Sequence, residues 1–326
     1  MTLASPEELS QTYNHARSGC VIIDRSEVGR IWAHGSDRLD LLQRLSTNDL
    51  NAMALYECRP TVLTTALGRI VDLLLVLNLE ERTLLLTSPG RSEAVRQWLR
   101  SFTFFQDDIE LQDATTELRQ CSLCGAKAHA VVAQLTSAAA DIQPHHALLL
   151  EENTWLLRGA APAGFGYELI APHLQMESLI AAALDTGAVR APAELHELLR
   201  VEAGLPGAGH EIEAAFIPLE VGLRKAISFS KGCYTGQEII ARMDTREKLA
   251  KTLVGLRSEQ QLPKGAGLRT AKRRAGLVTS SVYSPRLGWI GLGLLKPAVI
   301  GSVSELAVED YEPALRATVA TLPFNI

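Results

Sequence analysis

Two textures meet in this chain, and their junction constrains the fold more than any single motif. Upstream, segments of helical spacing alternate with segments rich in β-formers. From Leu249 to Ile326, glycines and β-branched residues recur at short intervals without a helical period, and Gly288–Leu295 alternates like a strand. The pattern implies an α+β body followed by a small all-β barrel or sandwich. Charges cluster over Thr245–Lys251, which sets the expected boundary: a body of residues 1–247 and a β domain of residues 248–326. A length of 326 residues allows two or three folding units. No internal repeat and no low-complexity tract is visible in the sequence.

Within the body, Ser5-Pro6-Glu7-Glu8 reads as an N-cap, a proline in the first turn and two acids facing the helix dipole, so a helix to about Ala16 is expected. Cys20–Asp24 and Arg30–Ala33 read as strands paired with each other. Gly35-Ser36-Asp37 opens a helix carrying Leu39, Leu42 and Leu45. Thr61–Leu67, Ile70–Asn78 and Thr83–Thr87 form an antiparallel meander. Further helices are expected at Arg91–Arg100, Ala126–Leu135, His173–Leu184 and Pro192–Ala203, with strands at Leu118–Cys124, Thr154–Leu157 and Gly166–Ile170.

Composition excludes several classes. Hydrophobic residues make up 47% and charged residues 21%, which is globular. Lys and Arg total 32 against 37 Asp and Glu, so no global field draws the chain to DNA or RNA, and any tRNA contact has to be local. The longest stretch free of charged residues, Ala128–Ala140, falls short of the ~20 residues a spanning helix needs. Glu7 and Glu8 stand where a signal peptide needs positive charge, so a cytoplasmic protein is expected. Five scattered cysteines do not make a disulfide scaffold.

The most informative motif is Lys231-Gly232-Cys233-Tyr234-Thr235-Gly236-Gln237-Glu238. Two glycines flanking Cys-Tyr suggest a tight turn into a helix. A thiol beside a helix N-terminus with Lys231 two residues away would be biased toward thiolate; the same residues also suit a small, inert buried cysteine. Weaker signals are Cys121 and Cys124, which strand alternation sends to opposite faces and so argues against a metal site. A basic group (Lys264, Arg269, Lys272, Arg273 and Arg274, with Lys248 and Lys251) could face a phosphate backbone or polyglutamate tail.

The K-G-C-Y-T-G-Q-E run resembles the signature of YgfZ-type folate-binding proteins, relatives of the glycine-cleavage T-protein (aminomethyltransferase). Four further stretches carry the likeness in order: Leu42–Asp49, Gly164–Leu169, Leu199–Gly204 with Pro218–Leu223, and Gly276–Ser280 with Tyr283-Ser284-Pro285. The resemblance implies a cloverleaf of small domains around a central folate channel, with two interleaved subdomains in the body and a C-terminal β-barrel. It implies tetrahydrofolate as cofactor, with Glu168 bonding the pterin ring, Arg200 contacting the folate, and Tyr167 either stacking on the pterin or packing across strands. The alternative for Arg200 is an ion pair with Glu197 or Glu202. Gln43 and Asn48 are expected to fix the exit of their helix.

One departure separates the two branches of that superfamily. Aminomethyltransferases carry paired aspartates in the meander, whereas here Asp72 is followed by Leu73, which can neither accept a hydrogen bond nor exchange a proton. With Cys233 present, the resemblance implies a tetrahydrofolate-binding accessory protein whose reactive cysteine, activated by Lys231, serves iron–sulfur protein assembly or repair and thereby tRNA modification. The alternatives are a folate-dependent aminomethyl or methyl transferase using Asp72, and a tRNA-binding module. No resident metal is expected.

Overall fold

The computed structural model describes residues 4–138, 142–159, 166–246, 249–271, 273–311 and 315–325. The chain divides into two compact units that interleave in sequence: Met1–Thr64, Val71–His196 and Lys225–Thr235 in the first, and Thr65–Ile70, Glu197–Arg224 and Gly236–Ile326 in the second.

The first unit opens with α1 (Pro6–Ser18), capped as the sequence dictates: Ser5 Oγ accepts from the Glu8 N–H, and Glu7 and Glu8 occupy the first turn. Next come β1 (Val21–Asp24) and β2 (Val28–His34). They do not pair with each other, contrary to the sequence expectation. β1 lies between β7 (Leu118–Cys124) and the parallel β11 (Val189–Ala191), and β2 lies between β5 (Arg82–Pro89) and β6 (Glu110–Asp113). Burial explains the divergence. Val21–Ile23 and Val28–Ala33 are buried throughout, and a strand covered on both faces belongs inside a sheet, with a neighbour on each edge.

β2 and β5 belong to a five-stranded sheet ordered β3-β4-β5-β2-β6, where β3 is Cys58–Thr64 and β4 is Ile70–Asn78. This contains the expected meander. α2 (Arg38–Leu45) and α3 (Ser92–Arg100) bury Leu41, Leu42, Leu45, Val95 and Leu99 in one core with Ile31, Leu63, Leu74 and Leu85. β1 and β7 belong to a six-stranded sheet ordered β11-β1-β7-β10-β9-β8, with β8 at Ala147–Glu151, β9 at Thr154–Arg158 and β10 at Gly166–Pro172. α4 (Ala128–Leu135) and α5 (His173–Asp185) cover it through Val132, Met176 and Ile180.

Two corners of the first unit share one local geometry. β2, Gly35 and α2 have the same spacing as β7, Gly125 and α4: a strand, a glycine immediately after it, and a helix starting three residues beyond that glycine. Both glycines have positive φ (95° and 126°), and a Cβ would lie 2.1 Å from Asp108 O at Gly35 and 2.6 Å from Ala16 O at Gly125. Only glycine fits that corner, so the likeness is one of backbone geometry rather than of side chains.

The second unit holds the end of α6 (Ala193–Glu202), all of α7 (Gln237–Arg246) and a closed barrel. The barrel order is β12-β15-β14-β13-β16-β17, from β12 (Thr252–Ser258), β13 (Gly267–Arg269), β14 (Arg274–Ser284), β15 (Gly288–Leu295), β16 (Glu305–Val308) and β17 (Arg316–Ala320). Leu256, Leu268, Val278, Leu306 and Ala317 fill it. The fold is therefore a mixed α/β body with a β-barrel, the barrel resolving the choice the sequence left open. Among the described residues no helix is long and apolar enough to cross a membrane.

Candidate functional site

Cys233 is exposed, on a loop of the first unit that lies against the C-terminal end of α2. A helix leaves its last carbonyls without internal partners, and this loop supplies donors for them. Thr235 N–H donates to Arg44 O (3.0 Å) and Ser228 N–H to Thr47 O (2.9 Å). The Thr47 hydroxyl donates to Ala226 O (2.6 Å), and the Thr64 hydroxyl to Thr235 O (2.6 Å).

Between these stitches Lys231 is buried, and its Nζ donates to Gln43 O (2.8 Å), Ser46 O (2.8 Å) and Asn48 O (2.6 Å). An ammonium has three N–H groups, so three carbonyls can engage all of them, leaving none to donate to the Cys233 sulfur. Burial lowers the Lys231 amine to about 8 and pushes the neighbouring Tyr234 phenol up to about 12. Gln43 and Asn48 fix the exit of α2: Gln43 Nε2 donates to Asp49 Oδ1 (3.1 Å), and Asn48 Nδ2 to Pro60 O (2.7 Å).

Glu168 is 2% exposed on β10. The antiparallel register sets Ser122 of β7 opposite it. The Ser122 hydroxyl donates to one carboxylate oxygen, and Gln120 Nε2 donates to the other (2.8 Å). Burial raises the Glu168 pKa, opposed by the positive charge of Arg25 and by the two hydrogen bonds. Ser122 and Gln120 were missed in the sequence. The signal that finds them is the register itself, which no motif encodes.

Tyr167, adjacent in the strand, faces the other side of the sheet. It packs with Leu169, Met176 and Ile180, and its hydroxyl meets His129 Nδ1 at 2.6 Å. Tyr167 and Glu168 therefore do not share a face.

Asp72, on β4, is 1% exposed, and both of its oxygens are engaged within the first unit. Oδ1 accepts from the Leu73 N–H (2.9 Å) and the Ser88 hydroxyl, and Oδ2 from the Ser88 N–H (3.2 Å). Burial raises its pKa.

In the second unit, every N–H of Arg200 has an acceptor. Nε and Nη2 reach the two oxygens of Glu197 (Nε at 2.7 Å), Nη1 reaches Leu205 O (2.8 Å) and Glu211 (3.1 Å), and Nη2 also reaches Ser280 Oγ (2.8 Å). The expected ion pair with Glu197 is present; Glu202 instead accepts from the Ser284 hydroxyl (2.6 Å). Arg200 is a structural hub of its unit.

Cys121 and Cys124 are buried in β7, and desolvation raises both thiols, Cys121 to about 12. Among the described residues no group of His, Cys, Asp and Glu could hold a metal. In the basic group, Arg274 approaches Glu309 (3.7 Å) and Lys264 donates to Gly209 O. Lys248 and Lys272 lie outside the described residues, as do Gly164 and Phe165 of the glycine-aromatic strand.

Comparison with known proteins adds independent information. The model of the GCVT N-terminal domain matches residues 5–231, and that of the glycine cleavage T-protein C-terminal barrel domain matches residues 251–325. A chloroplastic protein of Arabidopsis thaliana, named as a transferase, is 28% identical over 86% of this chain and 66% of its own length. Aminomethyltransferases of Herpetosiphon aurantiacus and Geobacillus thermodenitrificans are each 27% identical, over 94% and 97% of this chain and 87% and 90% of their own lengths. The crystal structure of the glycine cleavage system aminomethyltransferase T from Bartonella henselae has the same fold, with a TM-score of 0.88 at 22% identity, covering 100% of this chain and 91% of that one. With both of its domains recognised in sequence order, the chain belongs to the glycine cleavage T-protein family.

Proposed function

We propose that the chain binds a reduced folate, tetrahydrofolate by class, and presents Cys233 as a reactive thiol in the maintenance of iron–sulfur proteins, with tRNA-modifying enzymes among the clients. The body, residues 1–247, carries the proposed ligand residues. Glu168 supports the folate reading. Each of its oxygens takes one protein donor and retains a further acceptor position. Beside them Gln120 Oε1 is a buried acceptor without a partner among the described residues. A cluster of buried acceptors suits the N–H groups of an aminopyrimidine edge. When bound, the folate supplies a carrier for a one-carbon unit; the chain's own residues hold and orient its ring.

The observation that carries the accessory reading is the contrast between Asp72 and Cys233. The aspartate is enclosed with both oxygens engaged and Leu73 beside it, while the thiol stands exposed on a stitched loop. The test is complementation: Cys233→Ser should keep the fold and the folate but fail to rescue a strain lacking the protein. Full rescue would reduce the cysteine to a structural residue.

A second reading, folate-dependent aminomethyl transfer with Asp72 as the acid–base group, is favoured by the names of the two bacterial relatives. Incubation with tetrahydrofolate and an aminomethyl donor, followed by assay for methylene-tetrahydrofolate, separates the two. Turnover abolished by Asp72→Asn would place the chain with the transferases.

A further inference from the structure

Lys231 stands two residues from the exposed thiol, yet its N–H groups are taken by backbone carbonyls. Nζ sits among three carbonyls, that of Gln43 in the last turn of α2 and those of Ser46 and Asn48 just past it, and lies 5.1 Å from the centre of the Tyr234 ring. Carbonyls at a helix C-terminus carry the negative end of the dipole, and an aromatic face adds attraction for a cation. The titratable groups facing the ammonium are Asp49, whose charge favours the protonated form, and Tyr234.

We propose that Lys231 is a positioning residue: its ammonium is a built-in cation that pins the loop of residues 226–235 to the end of α2 and fixes Cys233 outward, acting through the placement of the loop. This rests on the reading of Cys233 as the acting group. Flanking stitches hold the loop at Ala226 and Ser228 on one side and at Thr235 on the other. Cys233 lies between the Lys231 anchor and the buried Tyr234, with Thr235 next, so the Lys231 anchor is its hold on the N-terminal side. Without the ammonium, three carbonyls at the helix end lose their donor, and a group of that kind is stable only with a partner or with water. The middle of the loop then opens toward solvent.

The experiment uses the full chain with Lys231→Ala, in the presence and absence of methylammonium, and with tetramethylammonium as a cation that has no N–H. Hydrogen exchange across residues 226–235 and the pH dependence of Cys233 alkylation by iodoacetamide are measured together. The proposal expects exchange in the loop to rise by about tenfold or more. It expects methylammonium, but not tetramethylammonium, to restore protection, and the alkylation midpoint to stay at its wild-type pH. A midpoint that rises by about one unit would make Lys231 an electrostatic activator and overturn the proposal. Unchanged exchange, or equal rescue by both cations, would overturn it as well. Should Lys231→Ala fail to fold, Lys231→Met, which keeps the hydrocarbon stem, is read in the same two assays with the same expectations for exchange and midpoint. Complementation by Cys233→Ser tests the role of the thiol, whereas exchange and alkylation are read on Lys231 variants that keep Cys233, so the two ideas fail separately.

Discussion

Ser88 donates to both oxygens of Asp72, its hydroxyl to Oδ1 and its backbone N–H to Oδ2 at 3.2 Å. A single residue at the end of β5 thus closes the carboxylate of β4, and the adjacent Leu73 N–H takes Oδ1 as well (2.9 Å). Removing one partner of a buried hydrogen-bonded group exposes the others to the full desolvation cost, about 1–3 kcal/mol. Asp72→Ala is therefore expected to lower the unfolding free energy by that order in urea melts. A variant as stable as the wild type would mean that Asp72 does not tie β4 to β5.

Arg200 calls for a larger effect of the same kind. Its guanidinium is the charged partner of Glu211, which is fully buried and also accepts from the Gly207 N–H (2.9 Å) and the Ser280 hydroxyl (2.8 Å). Breaking a buried ion pair from one side costs roughly 3–5 kcal/mol because the remaining charge is uncompensated. Arg200→Ala should drop the melting temperature sharply, and Arg200→Lys should recover only part, since an ammonium cannot reproduce a five-donor planar fork. A loss of ligand affinity at unchanged melting temperature would instead give Arg200 a binding role.

Two buried groups give opposite slopes of stability against pH. The Lys231 amine holds its proton to 10.5 in the unfolded chain but only to about 8 in the fold. Between those values the unfolded state binds more protons, so stability rises with pH through that window, and the gain is lost as pH falls through about 8. Lys231→Met should flatten the rise. Glu168 runs the other way. Burial raises its pKa in the fold, so its contribution is present below the ordinary glutamate range and is lost as pH climbs through the raised value. Glu168→Gln should remove that decline. Urea melts stepped from acid to pH 10 test both, and parallel curves for wild type and variants would contradict the assignment.

Much of the fold was legible where local chemistry is decisive. Ser5 and Pro6 mark the start of α1, the meander is bounded by turn residues, and the glycines at 276, 291 and 293 stand where a Cβ would meet the carbonyl of Leu294, Ser280 or Leu277 across the barrel strands. What stayed hidden is non-local. The pairing of β1 with β7 and β11 brings together residues far apart in the chain. The short strands β6, β8 and β11 owe their existence to neighbours rather than to their own pattern. The same applies to the candidate site. Cys233 and Glu168 are visible as residues, but Ser122 and Gln120 emerge only from register. The proximity of Lys231 to Cys233 in sequence suggested an activator, whereas the fold directs that ammonium to carbonyls more than 180 positions upstream.

Thiol reactivity offers the most direct test of the site. Cys20, Cys58, Cys121 and Cys124 are buried, and desolvation raises all four, Cys20 and Cys121 to about 12; Cys233 alone of the five is exposed. The thiolate is the nucleophile, so a raised pKa and lack of access suppress the same four groups twice over. A disulfide reagent added to the native protein at pH 7.5 should therefore titrate one thiol rapidly, and all five only in denaturant. Cys233→Ser should abolish the fast phase without altering the slow one. Two fast equivalents in the native state, or a fast phase that survives Cys233→Ser, would show that one of the buried sulfurs reaches solvent by local opening, and the exposed loop would lose its claim to be the reactive centre.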